Sequence, residues 1–207
     1  MTGTIQKPSL APIEDAGWPG HGNRLLFILR PSAQVRAALA DAVAAAGVTA
    51  ALGNSAFPPG LWHQSVSDRY ADRPDIRERL LAAGAGIQAR GFTLELDQVR
   101  AARNRRGSFN VDARERRGSG ELDLLIASVN ASVEEQGLPP GGGHTPHVTL
   151  SYGFHGELPP RQPMRRVDWA VDSLELVVGG GAPYHYETLG RWPLGPAAAR
   201  ASQASLF

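Results

Sequence analysis

Cysteine is absent from all 207 residues. No thiolate nucleophile, disulfide or cysteine-built zinc site is therefore available to this chain. Long apolar runs are missing too, and no stretch approaches the roughly 20 residues that a membrane helix needs. Charge of one sign is also lacking. The 21 Lys and Arg residues nearly balance 20 Asp and Glu, so no global field recruits nucleic acid or an anionic membrane. The first 23 residues are polar and rich in Pro and Gly, without the apolar core of a signal peptide. These absences predict a cytoplasmic protein with no membrane partner. The 42% hydrophobic content suits one compact domain or two closely packed lobes. The expected organisation is a flexible leader over 1–23, one domain over 24–194 and a flexible tail over 195–207.

One tetrapeptide pattern occurs twice. His63-Gln64-Ser65-Val66 and His147-Val148-Thr149-Leu150 both read histidine, any residue, hydroxyl, apolar, 84 residues apart. On a β-strand side chains alternate faces, so each histidine shares a face with the hydroxyl two places on. The intervening residues point the other way, and Val66 and Leu150 can enter a core. Two such strands side by side would line one cleft with two imidazoles and two hydroxyls. Two histidines can serve as general acid and general base near neutral pH, and hydroxyls can donate to phosphate oxygens. That equipment predicts a metal-free phosphodiesterase. Pro58-Pro59-Gly60 before the first motif and Pro139-Pro140-Gly141 before the second echo each other, although Pro-Pro-Gly is also common turn chemistry.

Around the motifs the chain alternates strands and helices. Arg24–Leu29 reads as a strand, and Ser32 as the N-cap of a helix with Val35, Leu39, Ala42, Val43 and Ala46 on one face, ended by Gly47. A strand through His63 follows. Asp72 is the expected cap of a short helix carrying Ile76, Leu80 and Leu81 and stopped at Gly84. Residues 92–97 alternate as a strand, and 108–112 read as another. Leu122, Leu125, Ile126, Val129 and Val133 form a helical stripe ending near Gly137. Strands over 147–152, 169–178 and 185–192 complete the pattern, with Gly179-Gly180-Gly181 as a turn. Hairpins with occasional helices predict an α+β fold.

Residues 24–194 resemble the 2H phosphoesterase superfamily, in its bacterial branch of 2′-5′ RNA ligases and RNA 2′,3′-cyclic phosphodiesterases. The resemblance rests on the strand-then-helix opening from Arg24, both tetrapeptides at their separation, and the closing segments Trp169–Leu176 and Tyr186–Leu194. It implies two pseudo-symmetric lobes of antiparallel sheet with outer helices, enclosing a central cleft with one motif per lobe. It further implies that His63 and His147 are catalytic, His63 as proton donor to the ribose 3′ oxygen and His147 as base. The residue types alone leave that polarity open. Ser65 and Thr149 would hold the non-bridging oxygens, and no cofactor or metal would be needed. Two departures bear on substrate. Ser67-Asp68-Arg69-Tyr70 follows the first motif in place of a hydrophobic stretch, and Tyr152 stands where many bacterial members have arginine.

The expected substrates are RNA ends or nucleotides with a 2′,3′-cyclic phosphate, opened to 2′-phosphates, and the chain is expected to act as a monomer. Reversible 2′-5′ joining would use the same groups. Residues 98–117 hold seven arginines against Asp112 and Glu115, read as a basic loop in which Arg103, Arg105 and Arg106 contact RNA phosphates. The same loop is equally readable as a solvated surface segment. Tyr152 would stack on a base only if its strand bulges, because its odd offset from His147 otherwise turns it away. The pair His144 and His147 lacks the third and fourth ligands of a zinc site. His185 and Tyr186 can reach a substrate base from the final strand. Two alternatives compete: a nucleotide- or RNA-binding module, and a phosphodiesterase for a small cyclic-phosphate ADP-ribose derivative. Retention of both histidines and both hydroxyls argues against simple binding.

Overall fold

A computed structural model describes residues 23–197 apart from 117, 119 and 143. The leader before Asn23, the tail beyond Ala197, and Arg117 lie outside the described residues. In chain order the elements are β1 (Arg24–Leu29), α1 (Ala33–Ala45), α2 (Val48–Leu52), β2 (Gln64–Ser65), β3 (Tyr70–Ala71), α3 (Pro74–Gly86), β4 (Phe92–Arg103), β5 (Phe109–Arg114), α4 (Gly120–Glu135), β6 (His147–Phe154), β7 (Arg161–Val171), β8 (Ser173–Gly180) and β9 (His185–Pro193). They build two antiparallel sheets, ordered β2-β1-β8-β9 with β3 also beside β1, and β6-β5-β4-β7. Among the described residues, the α+β arrangement of two sheets with four α-helices matches the expectation.

Each sheet has a core face and an open face. In β1, Leu25, Phe27 and Leu29 enter the main core, whereas Leu26 and Ile28 join Val177 and Tyr186 in a separate cluster. In β4 the buried residues are Phe92, Leu94, Leu96, Val99 and Ala101. The change of parity after Leu96 coincides with a register shift against β7 between Leu96 and Gln98, as a β-bulge requires. Ser32 caps α1 as expected, its Oγ accepting from the Val35 N–H at 3.2 Å, a contact worth about 1 kcal/mol. Leu39, Ala42 and Val43 are buried on that helix, and Gly47 beyond it has φ 75°.

Several elements differ from the sequence reading. The expected strand over 169–178 is two strands in different sheets, β7 and β8, and Asp172 is the crossing point. Continuous apolar alternation hid the change, since both sheets demand the same pattern. Asp72 does not cap α3. Its carboxylate instead binds Arg77, accepting from Nη2 at 2.8 Å, and Pro74 opens the helix after Arg73. That helix passes Gly84 and ends at Gly86. Gly179 and Gly180 belong to β8 rather than to a turn. A Cβ at Gly179 would lie 2.2 Å from the Tyr184 hydroxyl, so glycine there admits an aromatic side chain. The arginine-rich segment is not a loop: β4 and β5 pair from Gln98–Arg114 to Arg103–Phe109, and only its tip is a turn. Gly195 continues the ordered backbone, donating to the Ala89 carbonyl at 2.9 Å and accepting from the Gly91 N–H at 2.7 Å.

Candidate active site

β2 and β3 form one interrupted edge strand. The two halves pair with opposite ends of β1, Ile28 with Ser65 and Leu25 with Tyr70. Between them the Ser67 hydroxyl replaces a ladder partner, accepting from the Phe27 N–H at 2.9 Å. That contact falls where the ladder is interrupted between Ser65 and Tyr70. The strand expected through His63 is thus only two residues long, and His63 lies just before it. Ser65 sits opposite Ile28, on the open face, while Gln64 points into the core and is fully buried.

The other motif occupies the edge of the second sheet. His147 pairs with Arg114 and Thr149 with Asp112 across β5. The two edges meet through Gln64, whose side-chain oxygen accepts from the His147 N–H at 2.5 Å and whose Nε2 donates to the Ser65 carbonyl at 2.7 Å. A core-facing residue of the first motif therefore holds the histidine of the second. Nearby, the Tyr70 hydroxyl donates to the Pro139 carbonyl at 2.9 Å, and the Gly142 N–H lies 3.4 Å from Asp68 Oδ1. The loop after the first motif thereby clasps the loop before the second.

Both histidines are oriented by the same device. His63 Nδ1 lies 2.8 Å from the Leu61 carbonyl and His147 Nδ1 lies 2.7 Å from the Thr145 carbonyl. A carbonyl only accepts, so Nδ1 carries the proton in each ring, and Nε2 is left to exchange protons. The His63 ring packs edge-on against Tyr186, with centroids 4.9 Å apart and the Tyr186 hydroxyl 3.5 Å from Nε2. Burial pushes the His63 pKa down from 6.5 to about 4, assisted by the charges of Arg69, His147 and Arg30. His63 is thus a neutral imidazole at physiological pH. Burial and its tyrosine neighbours push the Tyr186 hydroxyl up, so it remains a neutral donor.

Tyr152 reaches the His147 face because β6 bulges. The register against β5 slips between Thr149 and Ser151, and Leu150 and Ser151 are consecutively buried. This reverses the parity that would have turned Tyr152 away. Its hydroxyl is 3.4 Å from Thr149 Oγ1, and its ring meets Phe57 edge-on at 5.2 Å. Arg103, Arg105 and Arg106 are not gathered there. They lie at the β4–β5 tip, beside Phe154 at the far end of β6, about 20 Å from His147 at ~3.3 Å per strand residue. Arg103 covers the Phe109 ring at 5.3 Å.

Two contributors, Gln64 and Arg69, escaped the sequence reading. Gln64 was legible in principle as a polar residue at a core-facing position, whereas Arg69 carries no local signal. His144 lies near Asp68 and His147, with a depressed pKa caused chiefly by burial and a buried Nε2 that has no partner among the described residues. Among the described residues no three His, Asp or Glu side chains gather in a way that could hold a metal ion. No single described helix is long and apolar enough to cross a membrane.

No family model matches the sequence, and no curated protein matches it. Solved structures do. Escherichia coli LigT in its apo form superimposes with a TM-score of 0.67 at 23% identity, covering 85% of this chain and 99% of LigT. TT0787 of Thermus thermophilus gives 0.65 at 21% identity, covering 84% and 100%. The fold is that of LigT and TT0787. LigT has also been crystallised with 3′-AMP, ATP, NADP+ and phosphate. In LigT-fold terms, this chain carries one histidine–hydroxyl motif at the meeting edge of each lobe.

Proposed function

We propose that this protein is a metal-independent phosphodiesterase that opens 2′,3′-cyclic phosphate ends of RNA or nucleotides to 2′-phosphates. The observation that carries this reading is the matched pair of motifs, each with Nδ1 tied to a carbonyl and joined to the other through Gln64. The nucleotide and phosphate complexes of LigT support a phosphate-bearing ligand. In the reaction, water attacks phosphorus, one imidazole accepts its proton, and the other donates a proton to the departing 3′ oxygen. Ser65 and Thr149 donate to the non-bridging oxygens.

The charge state of the free protein favours a polarity opposite to the one the resemblance implies. With its pKa lowered to about 4, His63 is neutral and its Nε2 carries the lone pair, which the Tyr186 hydroxyl at 3.5 Å must yield to the attacking water, so we assign it the base. His147 then donates to the leaving oxygen. Tyr152, at the Thr149 end, supplies a ring face for the adjoining base, a contact worth about 1–3 kcal/mol that tolerates any base. Arg103, Arg105 and Arg106 lie too far away to touch a mononucleotide, and we assign them to longer RNA only.

The test is turnover by purified protein, with chelator present, of nucleoside 2′,3′-cyclic monophosphates, cyclic-phosphate-ended RNA and a cyclic-phosphate ADP-ribose derivative. The first two are expected to yield 2′-phosphates. Activity lost with chelator and restored by zinc would refute the mechanism. Activity confined to the ADP-ribose derivative would replace the substrate class.

A further inference from the structure

Cross-strand register on the open face of the second sheet lines up four residues: Thr149 on β6, Asp112 on β5, Arg100 on β4 and Arg161 on β7. The flanking residues Val99, Ala101, Val111 and Ala113 are all buried on the opposite face, which fixes this row on the side of the His147 motif. Arg100 and Arg161 are direct neighbours. Like charges directly opposite on adjacent strands repel, so a protein without use for them would neutralise them.

The first sheet does so. Its corresponding row runs Ser65, Ile28, Glu175, Arg191, and buried Glu175 binds Arg30 at 3.0 Å with Arg191 at 3.8 Å. In the second sheet the only acid of the row is engaged elsewhere. Both Asp112 oxygens accept from Arg114, at Nε and at Nη2, and Arg114 also donates to Thr145. Neither Arg100 nor Arg161 makes an ion pair or side-chain hydrogen bond with any described residue. Among the described residues, one lobe therefore neutralises the arginines of its row, and the other leaves this pair without an acid.

We propose that Arg100 and Arg161 form a subsite for a phosphodiester of the RNA strand upstream of the reacting end. The proposal rests on the reading that the cleft processes a terminal phosphate. Adjacent strands are ~4.8 Å apart, so Arg100 and Arg161 stand ~10 and ~14 Å from Thr149. At about 3.4 Å of rise per stacked nucleotide that is about three to four nucleotides, and fewer when the strand is extended. Two guanidinium groups side by side offer paired donors to one phosphate, and β4 leads onward from Arg100 to the hairpin tip that carries Arg105 and Arg106. An RNA chain lying along this face would meet successive cations. A mononucleotide would reach none of them.

The experiment compares Arg100→Ala, Arg161→Ala and Arg161→Glu with the unchanged protein on two substrates, a nucleoside 2′,3′-cyclic monophosphate and a cyclic-phosphate-ended pentanucleotide. Direct binding of a 3′-phosphate-ended pentanucleotide is measured alongside by fluorescence anisotropy. Each alanine variant should weaken the pentanucleotide about 10- to 100-fold, the loss of one charge-assisted hydrogen bond, and leave mononucleotide kcat/KM unchanged. The slope of log affinity against log salt should flatten by about 0.7 per arginine removed, with Arg161→Glu weaker still. Equal effects on both substrates, or none on the pentanucleotide, would overturn the subsite. Should the protein turn over neither substrate while the variants still lose pentanucleotide affinity, the subsite stands and the proposed reaction falls.

Discussion

Replacing Gln64 with Leu should damage the site without touching either histidine. Gln64 is fully buried and makes two hydrogen bonds, from the His147 N–H to its oxygen and from its Nε2 to the Ser65 carbonyl. Leucine fills a similar volume but satisfies neither group. Each buried donor or acceptor left unpaired costs about 1–3 kcal/mol. The His147 amide is only partly buried, so the loss should be about 2–4 kcal/mol in total. The kinetic effect follows from geometry, because His147 loses the contact that ties it to the first lobe. A displacement of about 1 Å costs on the order of 100-fold in rate. Denaturant unfolding and steady-state kinetics on a nucleoside 2′,3′-cyclic monophosphate measure the two effects separately. Gln64→Glu retains the acceptor for His147 while losing the donor to Ser65, so its kcat should fall between those of the Leu variant and the unchanged protein. If Gln64→Leu keeps both its stability and a kcat within about twofold, Gln64 does not join the lobes as described.

The remaining predictions concern titration and the tyrosine. His63 titrates near 6.5 when unfolded and near 4 when folded, so the unfolded chain binds the extra proton between those values. Stability should therefore be full above pH 6.5 and fall as pH drops toward 4. At about 1.36 kcal/mol per pH unit the loss is up to about 3 kcal/mol. His63→Gln should flatten that part of the unfolding profile, and an unchanged profile would show that His63 is not held neutral. With His63 as base, kcat/KM should have its acid limb near pH 4, and kcat should have one at higher pH, because a bound phosphate anion raises the imidazole. An acid limb in kcat/KM that persists in His63→Ala would assign it to another group. Tyr152→Ala should raise KM about 10-fold for RNA ends, from the lost stacking, and leave unfolding nearly unchanged. Lowered stability with unchanged kinetics would make Tyr152 a packing residue against Phe57.

The sequence made the helices and most strands legible because their periodicity reflects one-sided burial, as in α4 and the first half of β4. It concealed what depends on register between distant strands. The transfer from β7 to β8 at Asp172 leaves the apolar pattern unbroken. The bulge that turns Tyr152 toward Thr149 shows only as two consecutive buried residues, Leu150 and Ser151. The paired motifs were readable as shared chemistry, since alternation alone puts each hydroxyl on the side of its histidine. Gln64 was not, because its partner lies 83 residues away. Charge counting found the arginines of residues 98–117. Only the ladder distinguishes Arg114 and Arg116, bound to Asp112 and Asp97, from Arg100, which stands beside Arg161 without an acidic partner among the described residues.

The central claim is that His63 and His147 act on one phosphorus as a pair, and non-additivity tests it most directly. Turnover of a nucleoside 2′,3′-cyclic monophosphate would be measured with chelator for His63→Ala, His147→Ala and the double variant, with folding checked for each. Groups that act as a unit lose nearly everything with the first member. Each single variant should therefore fall by about 10²–10⁴-fold, and the double variant by little more than either. If one single variant retains most of the activity, or if the two losses multiply in the double variant, the histidines do not work as one acid–base pair.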